Sequence, residues 1–141
     1  MKSPTSQNVG RRLMLVGIAT ILAMQVSAAF AAQPLVEIIA FKHPPVEDAL
    51  KPVRAGLKQH GANVRVVEID MEGPEAQSRL KAVGLTGHLP IVILIDGKYR
   101  YTRSDGVTVQ FVSFPAAAGS PEAAKGTWSA GDVEAALKAR K

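Results

Sequence analysis

No cysteine occurs anywhere in the 141 residues. That absence excludes thiol–disulfide exchange, because the nucleophile of such exchange is a thiolate. It also excludes disulfides as a source of stability, so the folded state is held by packing. Any metal site would have to be built from His, Asp, Glu or Met. Other signatures are missing as well. The chain has no Ser-His-Asp order, no glycine-rich phosphate loop, no paired-carboxylate arrangement and no H-x-x-x-H spacing. Nothing therefore assigns a catalytic residue, and no cofactor is expected. Internal repeats and low-complexity linkers are also lacking.

Positive charge is scarcer than it first looks. The formal net charge is +5, but Lys2, Arg11 and Arg12 lie in the first 31 residues, which hold no acid, so the remainder carries +2. Those first residues have their own logic. A polar, basic start ends at Arg11-Arg12, an apolar run extends from Leu13 to Ala32, and Ala29-Phe30-Ala31 supplies small residues where a signal peptidase reads. A basic start, an apolar middle and an A-x-A end describe a cleaved secretory signal peptide. The alternative is an uncleaved anchor, since about 20 apolar residues can span a bilayer. The expectation is a leader over 1–31, a mature domain over 32–141, and a periplasmic or secreted location. Contact with a membrane is expected only through an uncleaved leader. With the leader gone, the charge argument for nucleic acid goes too. Lys98-Tyr99-Arg100-Tyr101-Thr102-Arg103 alternates basic and aromatic residues, as nucleic-acid surfaces do. A half-exposed strand after a turn reads the same way, and no nucleic-acid partner is expected.

The mature region alternates strand and helix signals. Leu35 to Phe41 is an apolar run of strand length, rich in β-branched residues. After Lys42-His43-Pro44-Pro45, the residues Val46, Leu50, Val53 and Leu57 recur at steps of three and four, one stripe on a helix that Gly61 ends. Glu47 and Asp48 occupy its first turn, where the macrodipole favours carboxylates. His60, beside Gly61, is a cation suited to the helix C-terminus. Asn63 to Asp70 reads as a second strand and Glu75 to Val83 as a short helix stopped at Gly84. Pro90 to Ile95 is aliphatic throughout, the mark of a strand covered on both faces. Asp96-Gly97 is the strongest hairpin signal in the chain. Lys98 to Arg103 returns, Ser104-Asp105-Gly106 turns, and Val107 to Phe114 forms a further strand. A long loop over 115–127 is of a length that tends to be functional or mobile. The last helix starts near Ser129, with Ser129 and Asp132 as a capping box and Val133 and Leu137 on the apolar side. Trp128, the single tryptophan, is expected to pack that helix onto the sheet. The order is β-α-β-α-β-β-β-α, a mixed sheet flanked by helices, with parallel pairing in the first βαβ unit.

Over this region the chain resembles the thioredoxin superfamily, on three landmarks. The strand, loop and helix from Val36 to Pro52 match the segment that carries the family's C-x-x-C. Counting back from Pro52, Pro44 and Glu47 stand where the two cysteines would be. A proline inside a helix costs about 3 kcal/mol, and a family that kinks this helix supplies a reason for it. Glu68-Ile69-Asp70 is similar to the acidic triplet that ends the family's next strand. Gly84-Leu85-Thr86-Gly87-His88-Leu89-Pro90 resembles the G-x-x-G-x-P loop, with His88 one residue more than the usual spacing. The resemblance implies a thioredoxin-like fold, a cis Leu89–Pro90 bond and a groove between the two loops. It implies no dithiol chemistry, since Pro44-Pro45-Val46-Glu47 replaces the motif.

The groove residues are then Lys42, His43, Pro44, Pro45, Glu47, Thr86, His88, Leu89 and Pro90. Relatives receive extended peptides there by backbone pairing, so an extended peptide or envelope protein is the expected partner of a non-redox binding module. Unpaired N–H groups at the helix start would favour an anionic or carbonyl-bearing ligand. The alternative is a metal-binding or cysteine-independent enzymatic site made by His43, His88 and Glu47.

Overall fold

The computed structural model describes residues 32–117 and 125–140. The leader assigned to 1–31 and the centre of the 115–127 loop lie outside them. Nine elements follow in chain order: β1 Leu35–Ala40, α1 Pro44–Gln59, a 3-10 turn Gly61–Asn63, β2 Arg65–Asp70, α2 Pro74–Ala82, β3 Ile91–Ile95, β4 Arg100–Thr102, β5 Thr108–Gln110 and α3 Ala130–Lys138. The succession of strands and helices is the one expected from the sequence. No helix among the described residues is long and apolar enough to cross a membrane.

The main sheet has the order β2-β1-β3. β1 pairs with β2 in parallel, Val36 beside Val66, and α1 is the crossover between them. β3 runs antiparallel on the other side of β1, with Ile38 facing Ile93. β4 and β5 form a separate two-stranded ribbon. The single strand expected over Val107 to Phe114 is broken. Its first part is β5, and beyond it Ile93 N donates to Phe111 O at 2.9 Å and Ser113 N to Ile91 O at 2.8 Å. Ser113 sits at φ 68, a left-handed conformation that bends the chain as it passes β3. The Asp96-Gly97 turn forms and is closed by an Ile95–Lys98 bridge, but the returning segment does not continue along β3: β4 pairs with β5 instead. Asp96 and Gly97 take positive φ, 50 and 74, as a type I′ turn requires.

Alternation along the strands divides the apolar residues between two faces. Val36, Ile38 and Ala40 of β1 join Ile91, Ile93 and Ile95 of β3 against Val46, Leu50, Val53 and Leu57 of α1 and Val133 and Leu137 of α3. On the other face Ile39, Ile69, Val92 and Leu94 meet Ala76 and Leu80 of α2. Three layers result: two helices, the sheet, one helix. Each fully buried aliphatic side chain here contributes about 1.5–3 kcal/mol of transfer free energy. Trp128 is buried in the first cluster, and its indole N–H donates to Val112 O at 3.1 Å. A Cβ on Gly126 would lie 2.5 Å from Val112 O and 2.9 Å from Phe114 O. Only glycine lets the returning chain approach that backbone so closely.

α1 continues through Pro52. Pro52 is exposed, so the carbonyl that loses its donor there faces water. At the head of α3, Ser129 Oγ accepts from Asp132 N at 3.3 Å and Asp132 Oδ2 accepts from Ser129 N at 2.8 Å, completing the capping box. Asp132 also accepts from Arg103 Nε at 2.6 Å. One buried carboxylate thus ties the end of the β4 strand to the start of α3.

Candidate functional site

The two loops singled out in the sequence meet at Phe41, the residue after β1. Phe41 is half-buried and packs against the apolar clusters of both sheet faces. Its N–H donates to Pro90 O at 3.3 Å, which extends the β1–β3 pairing by one step and seats the Thr86 to Pro90 loop beside the head of α1. Two imidazoles lie on its ring. His43 stacks at 5.5 Å between centroids with planes 20° apart, and His88 lies at 4.9 Å with planes 35° apart. Both histidines are exposed. The expectation that His43 and His88 edge one surface therefore holds geometrically, through a phenyl ring that no sequence pattern marked.

The neighbouring residues are arranged less as expected. The Leu89–Pro90 bond is trans, for no cis peptide occurs among the described residues. His88 lengthens the loop by one residue and Gly87 takes φ +99, so the chain turns into β3 without a cis bond. The head of α1 offers no spare donors. Pro44 and Pro45 have no N–H, and Val46 N and Glu47 N both donate to His43 O, at 3.0 and 3.1 Å. The expectation of an anion-attracting helix terminus is overturned by its own two prolines. Thr86 is exposed, and Leu89 packs against the apolar cluster on the α2 side.

Glu47 turns away from the imidazoles. Arg54 Nη1 lies 2.8 Å from Glu47 Oε2, and Arg54 Nε lies 2.8 Å from Glu68 Oε1. The two carboxylates, Glu68 first and Glu47 second, hold the guanidinium well above its already high ordinary pKa. A carboxylate committed in this way is no third ligand for His43 and His88. Among the described residues no group of three His, Cys, Asp or Glu side chains is placed to hold a metal ion. Lys42 is paired as well, 3.2 Å from Asp70 at the end of β2. The Glu72 N–H, and after it Lys42, holds the Asp70 carboxyl below its usual range.

Other polar residues serve the framework. His60 Nε2 lies 2.7 Å from Glu134 Oε2, so it joins the end of α1 to α3 in addition to following the helix C-terminus. Arg103 is committed to Asp132, Arg100 lies 5.0 Å over the Tyr99 ring, and Tyr101 stacks on Phe111 at 6.5 Å. Sequence reasoning missed Glu37, which is 5 % exposed inside β1. It accepts from Arg79 Nε of α2 at 2.7 Å. A single carboxylate in a strand covered on both faces was a signal that a cation had to come from another element.

These elements define a mixed α/β domain with an aromatic–imidazole ledge where two loops join. No family model, no curated protein and no solved structure matches the chain.

Proposed function

We propose that the protein is an exported binding module of thioredoxin-like fold, without thiol redox chemistry, that receives an extended peptide or a loop of an envelope protein at the Phe41–His43–His88 ledge. The observation that carries this reading is the placement of two exposed imidazoles on one phenyl ring, at the junction of the α1 head and the loop before β3. Order β2-β1-β3 with parallel and antiparallel pairing supports the fold assignment. The absence of cysteine limits the site to non-covalent recognition or to chemistry without a thiolate.

The ledge would bind by stacking and by imidazole hydrogen bonds rather than through a helix terminus. Each ring nitrogen donates or accepts according to its proton. His43→Ala combined with His88→Ala should lower recovery of partner from an envelope fraction about tenfold or more, a loss of roughly 1.4 kcal/mol. Because both rings are exposed, the thermal midpoint should stay within about 2 °C of the parent, as exposed substitutions change stability by under roughly 0.5 kcal/mol. Undiminished capture by a folded double variant would remove the ledge from consideration.

A further inference from the structure

We infer, taking the proposed export of this chain as the premise, that the folded domain shields its own processing site, so that the leader is removed only before residues 32–35 are built into the sheet. Cleavage expected after Ala31 leaves three residues, Ala32, Gln33 and Pro34, before β1 begins at Leu35. Fully extended, three residues span at most about 11 Å. Even that short tether is not free. Ala32 O accepts from Arg140 Nη2 at 3.4 Å, and Ala62 O accepts from the Gln33 side-chain amide. Pro34 O accepts from Arg65 N at 2.9 Å. Leu35 N donates to Asp96 Oδ1 at 3.0 Å, and Leu35 O accepts from Asp96 N at 2.8 Å. Asp96 is itself paired with Arg140. Each of the four residues after the expected cut is thus bonded to a distant segment.

Hydrolysis of the Ala31–Ala32 amide adds one water and leaves a carboxylate on Ala31 and an amino group on Ala32. A protease that takes its substrate as an extended strand needs free backbone groups on both sides of the bond it cuts. Here Ala32 O, Pro34 O and Leu35 N are already engaged. Freeing them means lifting the head of β1, which lies between β2 and β3 and whose Val36 is fully buried. Such an opening breaks into the core of the sheet rather than fraying an edge. A leader left in place until the domain had folded would therefore stay in place. The order of closure favours early removal. The bonds come from Ala62, Arg65, Asp96 and Arg140, and Arg140 follows α3. The shield is complete only when that last helix has docked. The chain is thus processed while unfolded, and a route that carries folded cargo does not suit it.

The test uses the full chain in detergent micelles and a purified signal peptidase that reads A-x-A ends. The folded parent should lose its leader about a hundredfold or more slowly than Leu50→Asp, because cleavage of a folded chain tracks the small population of its open form. Leu50 is fully buried in the first apolar cluster, and an unpaired charge there unfolds the domain. A flexible insert of about ten Gly and Ser residues between Ala32 and Gln33 should bring cutting of the folded chain to within about threefold of the unfolded rate. Circular dichroism establishes which variants are folded. Equal rates for the folded parent and Leu50→Asp would overturn the inference, as would continued resistance of the folded insertion variant. No cutting of any variant, unfolded Leu50→Asp included, would instead remove the export reading itself and this inference with it.

Discussion

Asp132 shows how much one side chain can be asked to do. It accepts from Arg103, from the Ser129 backbone and from the Ser129 hydroxyl, and it is buried. Those donors, Arg103 foremost, hold its carboxyl below the usual value. A carboxyl with a depressed folded-state pKa binds its proton more readily in the unfolded chain. Its contribution to stability is therefore complete above the ordinary carboxylate value near pH 4 and is lost as the pH falls through the lower folded value. Asp132→Asn should lower stability at neutral pH by about 1.5–3 kcal/mol, the usual range for hydrogen bonds to a charged group. It should also flatten the acid limb of the stability curve below about pH 4. Urea titrations at a series of pH values check both. An unchanged acid limb in the variant would show that other carboxylates govern it.

At the scale of elements, the layers are joined by ion pairs as well as by apolar contact. Glu37 in β1 and Arg79 in α2 join the sheet to the helix that covers its second face. Arg79→Met leaves a carboxylate buried without its partner and should cost about 3–5 kcal/mol. Adding Glu37→Leu removes the stranded charge, and the double variant should recover most of that loss. Chemical denaturation of the two single variants and the double variant supplies the cycle. Additive losses would mean that the pair is not coupled. Helix stripes, the capping box and the Asp96-Gly97 turn were legible in the sequence, because each is decided by residues within a few positions of one another. The Glu37–Arg79 pair, 42 residues apart, was not. Nor was the fate of Glu47, which first-turn logic placed at the head of α1 and which Arg54, two turns further along the same face of the helix, engages together with Glu68 of β2.

At the scale of the molecule, the export signal expected from the sequence and the ledge proposed for recognition lie in different regions of the chain. The A-x-A ending at Ala31 leads to the expectation that protein extracted from the envelope begins near Ala32. Its intact mass should lack the first 31 or so residues. A full-length species embedded in the membrane would overturn that. Residues 32–141 by themselves determined a great deal: a cysteine-free chemistry, two apolar faces on a sheet, and the succession of strands and helices. Periodicity and turn chemistry are local, and burial of an alternating strand admits few arrangements. Only the tertiary structure decided the site. It put His43 and His88, 45 positions apart in the sequence, on the one ring of Phe41. It left Leu89–Pro90 trans because Gly87 could absorb the turn, and it closed the α1 head with His43 O. Among the described residues it also left β2 at the edge of its sheet. Each of these outcomes depends on which distant backbone comes within hydrogen-bonding or van der Waals reach, and no local pattern of residues encodes that distance.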